Sequence, residues 1–275
     1  MPEEIIQIPV TVQGREFYDG ESTNGLWQAL KACKDARCRA LFMPEFADVR
    51  INSPEDARIW QNCYYTPSAR VTGKTKQGSA VVAYAHVPNY FSNPENIRKT
   101  IYSKKLVNGA GLMPDKEFQK LLKLEDGVNV FVVDHQKLKN SKYNDISVDD
   151  ALEHPQTIPF LGGQERAEAY LKRHREVFGN KIGIGHTDDL SDKGALGRLL
   201  FAGNLDYYYY LGGYDDLDYY GRFVGVPVGA AGAARKIASP LEKLAGAGTD
   251  VGNGLVVVRA DQMPPNVYRL LTEKR

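Results

Sequence analysis

The chain has 275 residues, of which 43% are hydrophobic and 25% are charged, as in an ordinary folded protein. Its 35 Lys and Arg residues nearly balance its 34 Asp and Glu residues, and the formal net charge is +1. This balance argues against a general polyanion binder, which needs a broad basic excess. Nucleic-acid binding therefore ranks last among the functions considered, and it rests on a locally basic stretch at 98–142.

We expect a cytoplasmic protein without a membrane anchor, from the apolar runs, the N-terminal residues and the cysteines of the sequence. No apolar run approaches the length of a membrane span, and the acidic start Met-Pro-Glu-Glu is unlike a signal peptide. Cys33, Cys38 and Cys63 are too few for a disulfide scaffold and cannot all pair. The spacing of Cys33 and Cys38 is too wide for a zinc knuckle. We therefore expect reduced, structural thiols.

Hydrophobic periodicity and end signals predict the first elements of the chain. They predict a strand at 5–12, a helix from Ser22 or Thr23 towards 37, and a strand or extended segment at 40–51. The sequence Ser-Pro-Glu-Asp at 53–56 has the capping hydroxyl, proline and acids of a helix start. Residues 65–87 alternate about a Lys-Thr-Lys-Gln-Gly turn, which predicts an antiparallel hairpin.

The remaining elements alternate between helix and strand. Helices are predicted at 94–103, 114–125, 163–178 and 230–244, and strands at 128–134, 181–185, 196–203, 223–228 and 255–259. A glycine-rich stretch at 108–111 indicates either a domain boundary near 108–112 or an ordinary loop. The sequence therefore predicts a single domain over 1–275, of the α/β or α+β class, with a mixed β-sheet flanked by helices.

Two pairs of polar residues follow predicted strands and form the catalytic hypothesis. His186 and Asp188 follow the strand at 181–185, and Asp134 and His135 end the strand at 128–134. Open α/β sheets place their sites at strand ends, so the four side chains converge if these strands are parallel neighbours. A histidine beside carboxylates binds a divalent metal or acts as a general acid–base pair. The identity and the ligands of such a metal are left open.

The segment Gly-His-Thr-Asp at 185–188 resembles the Gly-His-x-Asp motif of zinc aminoacylases and carboxypeptidases. The resemblance covers only this short stretch. That family also has a Glu-Glu pair farther along its chain, whereas the only such pair here is Glu3-Glu4. The resemblance is therefore too short and too incomplete to assign the function of that family to this chain.

The tyrosine segment, residues 204–222, has the most unusual composition in the chain. It holds seven of the 16 tyrosines, interleaved with four aspartates. Tyrosine combines a flat apolar face with a polar tip, which suits recognition surfaces. Successive residues of a strand point to opposite faces, so Tyr207 and Tyr209 are expected to share one face. We predict that Tyr207, Tyr209, Tyr214 and Arg222 contact the ligand.

Two functional hypotheses follow from these features. The first is a cytoplasmic hydrolase whose His/Asp site, with or without a metal, acts on a substrate held in a tyrosine-rich groove. Its ligand is a small molecule, a peptide or a carbohydrate. The alternative is a non-catalytic binding or assembly protein, such as a homo-oligomer, that uses residues 204–222 as its contact surface.

Overall fold

The structure is a computed structural model, and it describes residues 5–7, 13–19, 25–139, 144–187, 189–203, 210–228, 249–250 and 256–257. The chain divides into two compact units, residues 1–231 and residues 232–275. The first unit contains all of the helices described. The helix predicted at 230–244 lies outside the described residues, so it stays a prediction.

The strands of the first unit are short, apart from two long central ones. In chain order they are β1 Ile5–Gln7, β2 Gln13–Asp19, β3 Cys38–Ala40, β4 Tyr64–Lys74, β5 Ala80–Ala85, β6 Leu106–Val107, β7 Ala110–Met113, β8 Val130–Asp134, β9 Asn144–Ser147, β10 Lys181–Gly185, β11 Ala195–Ala202, β12 Tyr210–Gly212 and β13 Gly221–Pro227.

The helices of the first unit flank these strands. They are α1 Gly25–Asp35, α2 Met43–Ile51, α3 Arg58–Gln61, α4 Pro94–Tyr102, α5 Asp115–Leu122, α6 His135–Lys139, α7 Val148–Glu153, α8 Thr157–Leu161 and α9 Gln164–Phe178. Among the described residues, no helix has both the length and the apolar character needed to cross a membrane.

The strands of the first unit form two sheets. The larger has nine strands in the order β8-β5-β4-β11-β12-β10-β9, with β7 paired to the first half of β11 and β6 paired to β7. The smaller has the order β1-β2-β13-β3. Strands β10 and β12 pair in parallel, and the other pairs of described strands are antiparallel. The predicted mixed sheet with flanking helices is therefore confirmed, as is the hairpin at 65–87, which is β4 and β5.

The second unit is described only in one short ribbon. It consists of β14 Thr249–Asp250 and β15 Val256–Val257, which pair in antiparallel fashion.

Two hydrophobic layers cover the sheets of the first unit. One is built on Trp60, Tyr84 and the buried face of α9, including Tyr170. The other lies under α1, α4 and α5 and contains Phe91 and Phe118. Helix α9 confirms the helix predicted at 163–178, and its buried residues Ala167, Tyr170 and Leu171 form its apolar stripe.

Two local predictions for residues 40–56 are wrong. Residues 43–51 form helix α2 and not an extended segment, because the Glu45 carboxylate accepts a hydrogen bond from the Phe42 amide at 2.9 Å and caps the helix start. Ser53 does not begin a helix. Its hydroxyl donates backwards to the Val49 carbonyl at 2.7 Å, at the end of α2, and the next helix begins only at Arg58.

The glycine-rich stretch at 108–111 contains a tight turn inside the first unit. Asn108 and Gly109 connect β6 to β7, with φ angles of 49° and 76°. Positive φ at both central residues is what a two-residue hairpin turn requires, and Asn-Gly suits it. The prediction of a single domain over 1–275 is not tested by this arrangement and stays a prediction.

Candidate functional site

The tyrosine loop, which we define as residues 213–220, connects β12 of the large sheet to β13 of the small sheet. Its residues divide into two sets by exposure. Leu217 is fully buried, at 0% exposure, whereas Tyr219 and Tyr220 are 46% and 45% exposed. The loop therefore has an inner side that belongs to the fold and an outer side that faces solvent.

Three contacts fix the inner side of the loop to the fold. The Leu217 amide donates to the Gly109 carbonyl at 2.9 Å. The Tyr65 hydroxyl on β4 donates to the Asp215 carboxylate. Burial raises the pKa of Asp215, and the hydrogen bond from Tyr65 opposes that shift. The Tyr214 ring packs edge to face on Phe201, with the ring centroids 5.2 Å apart.

A buried arginine on β11 lies beneath the loop. Arg198 is 3% exposed, and its Nη1 donates to the carbonyls of Tyr214 and Asp215 at 2.8 and 3.1 Å. The same nitrogen also contacts the Asp216 carboxylate at 3.0 Å. These contacts hold the first half of the loop against the sheet.

The other terminal nitrogen of Arg198 binds two further segments. Nη2 donates to the Asp189 carboxylate at 2.8 Å and to the Asn108 carbonyl in the turn between β6 and β7. A second buried arginine, Arg70 on β4, donates to the Thr187 carbonyl at 2.7 Å. The segment that follows β10 is thus also fixed from inside the fold.

The outer side of the loop is aromatic. The rings of Tyr219 and Tyr220 stack with their centroids 4.5 Å apart. Beside them in the chain, Arg222 on β13 lies opposite Tyr18 on β2, and its guanidinium stands 4.3 Å from the centre of the Tyr18 ring. Tyr18 is 39% exposed. The surface therefore presents tyrosine faces on an ordered support.

The residues predicted to contact the ligand differ in their burial and in their partners. Tyr207 and Tyr209 lie outside the described residues, so their shared face stays a prediction. Tyr214 is half-buried and packs on Phe201. Arg222 forms an ion pair with the buried Glu16 on β2 while it supports the ring of Tyr18.

The residues of the catalytic hypothesis follow strands that are not neighbours. Strands β8 and β10 run in the same direction, but β5, β4, β11 and β12 lie between them. Asp134 is exposed at the start of α6, where its carboxylate accepts from the Lys137 amide at 2.9 Å. The condition on which the convergence depended, adjacency of the strands, is not met.

Histidine and carboxylate side chains surround Asp134 and His186. Asp134 lines a cleft of about 410 Å³ together with Lys137, Glu153 and His154, and the adjacent His135 is buried. The ring of His154 lies 6.1 Å from that of His186. Asp188 is outside the described residues. Within the described part of the chain, no group of three or more His, Cys, Asp or Glu side chains is arranged to hold a metal.

Sequence reasoning missed the arginine beneath the tyrosine loop. The signal was a charged residue inside the apolar run Ala-Leu-Gly-Arg-Leu-Leu-Phe-Ala at 195–202. A charge at the centre of a buried strand implies carboxylate or carbonyl partners. The sequence alone does not say which ones.

Comparison with known proteins identifies the class of the chain. No family model matches it, and a search of curated proteins finds no match. A solved structure from Nanoarchaeota, described as accommodating massive sequence variation by the C-type lectin fold, is 49% identical to it with a TM-score of 0.74. The match covers 80% of this chain and 100% of the other. The chain therefore belongs to this family of C-type lectin fold proteins.

This membership corrects the hydrolase hypothesis. The C-type lectin fold relative points to a binding role without catalysis, so the prediction of a hydrolase is wrong and the alternative hypothesis is favoured. Burial raises the pKa of the Cys63 thiol to about 12, which disfavours the reactive thiolate form.

Proposed function

We propose that the chain is a non-catalytic binding protein that uses the tyrosine loop to hold a polypeptide partner. One observation carries the proposal: a loop whose inner side is fixed by buried groups exposes the stacked pair Tyr219 and Tyr220. A fixed loop loses little conformational entropy on binding, so more of the contact energy appears as affinity.

The chemistry of the outer side favours a polypeptide. Tyrosine has two rotatable side-chain bonds, offers a large apolar face and keeps a hydroxyl for hydrogen bonding. Such residues dominate the energetic centres of protein interfaces. Asp218, next to the tyrosine pair, makes no hydrogen bond or ion pair with the described residues, so its carboxylate is available to a basic or amide group.

The division of the loop offers one way for a C-type lectin fold to accommodate sequence variation. Side chains on the outer side make few contacts with the fold, so replacing them changes what the surface binds at little cost to stability. Side chains on the inner side, such as Leu217, do not have this freedom. We infer that the protein tolerates variation at its outer positions and uses it to change partner.

Selection from a peptide library tests the proposal directly. Random peptides displayed on phage are selected against the immobilised full chain, and the enriched peptides are synthesised for affinity measurement. Replacing Tyr219 and Tyr220 together by serine should weaken their binding by about 30-fold or more, since each residue of an energetic centre contributes ~1–2 kcal/mol or more.

Tyr102 provides the matched control. It is 63% exposed on α4 and lies outside the tyrosine loop, so Tyr102→Ser should leave peptide affinity unchanged. If the selected peptides bind the double serine variant at Tyr219 and Tyr220, and Tyr102→Ser, as tightly as they bind the original chain, the contact lies elsewhere and the proposal is contradicted. Binding on a glycan array, with no peptide enriched, would show that the partner is a carbohydrate instead.

A further inference from the structure

We infer that Arg198 is the positioning residue of the binding surface, because it joins the tyrosine loop, the 108–109 turn and the segment of Asp189 into one composite surface. This inference rests on the proposed function and extends the surface beyond the tyrosine segment. It also assigns the carboxylates of Asp189 and Asp216 to the arginine and not to the ligand.

The donors of Arg198 are almost fully used by these segments. A guanidinium has five N–H donors in a fixed planar fork. Its two terminal nitrogens contact three carbonyls and two carboxylates that belong to three separate segments of the chain. Only Nε lacks a partner among the described residues. A lysine in this place has a single nitrogen and cannot reach both sides.

The two carboxylates balance a buried charge. Arg198 has a side-chain exposure of 4%, whereas Asp189 and Asp216 are 19% and 53% exposed. An unpaired buried cation is costly, so the arginine keeps both acids in place. An aspartate used in this way is not free to vary, even when much of its surface is exposed. Asp216 therefore belongs to the inner side of the loop by its contact with Arg198, although its side-chain exposure resembles that of the outer residues.

An independent observation links the turn to the loop. The Asp216 carboxylate lies directly against Gly109, and a Cβ at that glycine would occupy the position of the Asp216 side-chain atoms. The Gly109 carbonyl also accepts from the Leu217 amide. Turn and loop are therefore joined by close packing of Asp216 on Gly109 and by a backbone hydrogen bond at the next residue, Leu217.

A pair of neighbouring aspartates makes the decisive experiment. Asp216→Ala and Asp218→Ala remove the same group from the same loop, but only Asp216 contacts Arg198. Hydrogen–deuterium exchange of the Leu217 amide is the first measurement. We expect Asp216→Ala to speed that exchange by about tenfold, the value of a hydrogen bond to a charged group, and Asp218→Ala to leave it unchanged.

The association rate of a peptide distinguishes a positioning role of Arg198 from a merely structural one. When the binding-competent conformation of the free protein is only partly populated, the observed association rate is proportional to the populated fraction. For a peptide selected on the tyrosine loop, Asp216→Ala should therefore slow association and leave dissociation unchanged. Arg198→Lys should behave like Asp216→Ala, and both variants should retain a cooperative thermal transition.

The outcomes separate this inference from the proposed function. Equal exchange at Leu217 in Asp216→Ala and Asp218→Ala would overturn the positioning role, whatever the chain binds. Gly109→Ala checks the same link from the opposite side if Arg198 variants fail to fold, and unchanged exchange at Leu217 in that variant would also contradict it. A failure to select any peptide would remove the proposed partner, while the exchange contrast would still decide the role of Arg198.

Discussion

Replacing Leu217 by alanine should destabilise the protein although the residue lies in a surface loop. The side chain is 0% exposed, and it packs at Gly111, where a Cβ would stand 2.7 Å from Leu217 Cδ1. Deleting a buried leucine side chain costs about 3 kcal/mol, the sum of the lost transfer energy and of the cavity. In a domain of this size that corresponds to a fall of roughly 6–12 °C in Tm. Tyr219→Ala, at 46% exposure, should cost less than about 1 kcal/mol.

Urea denaturation provides the measurement. Trp60 is 0% exposed in the core of the first unit, so its fluorescence reports the unfolding of that unit. The midpoints for Leu217→Ala, Tyr219→Ala and the unchanged chain are compared at a common slope. A loss below about 1 kcal/mol for Leu217→Ala, or equal losses for the two variants, would refute the division of the loop into an inner and an outer side.

Steric and titration properties of the core give further expectations. Gly197→Ala should lower stability by about 1–3 kcal/mol through overpacking, because a Cβ there would lie 2.6 Å from Cδ2 of Phe91; calorimetry of the variant checks it. Stability should also fall as the pH drops from about 6.5 to about 4, because burial lowers the pKa of His86 and His174 to about 4. In that window only the unfolded chain binds the protons, so the stabilising contribution is complete above pH 6.5 and is lost towards pH 4. Urea titrations at several pH values measure the slope, which His86→Gln should reduce; an unchanged slope would contradict the assignment.

The parts of the fold that could be predicted are those fixed by local patterns. Alternating residues around a polar turn indicated the hairpin of β4 and β5, and the apolar stripe with Gly179 at its end indicated α9. Helix α2 was missed because its start depends on more than local pattern. The Met43 amide donates to the Ser68 hydroxyl at 2.8 Å, and that serine lies 25 positions farther along the chain.

Composition suggested the place of the proposed binding surface but not its structure. Composition alone pointed to the tyrosine segment, since clustered tyrosine and aspartate are rare. Which side chains face outwards depends on Arg198, whose partners come from three distant segments. The catalytic hypothesis required β8 and β10 to be adjacent, and strand order is a property of the whole chain that periodicity does not encode.

Adjacent residues of the tyrosine loop serve either the fold or the solvent-facing surface, and this has a consequence for populations of related chains. Chains that differ only at Asp218, Tyr219 and Tyr220 would share the contacts of Leu217 and Arg198, and therefore nearly the same unfolding midpoint. Differences among them would then appear in what they bind and not in how much folded protein is present. Selection on such a population would act on affinity without first removing the members that fail to fold.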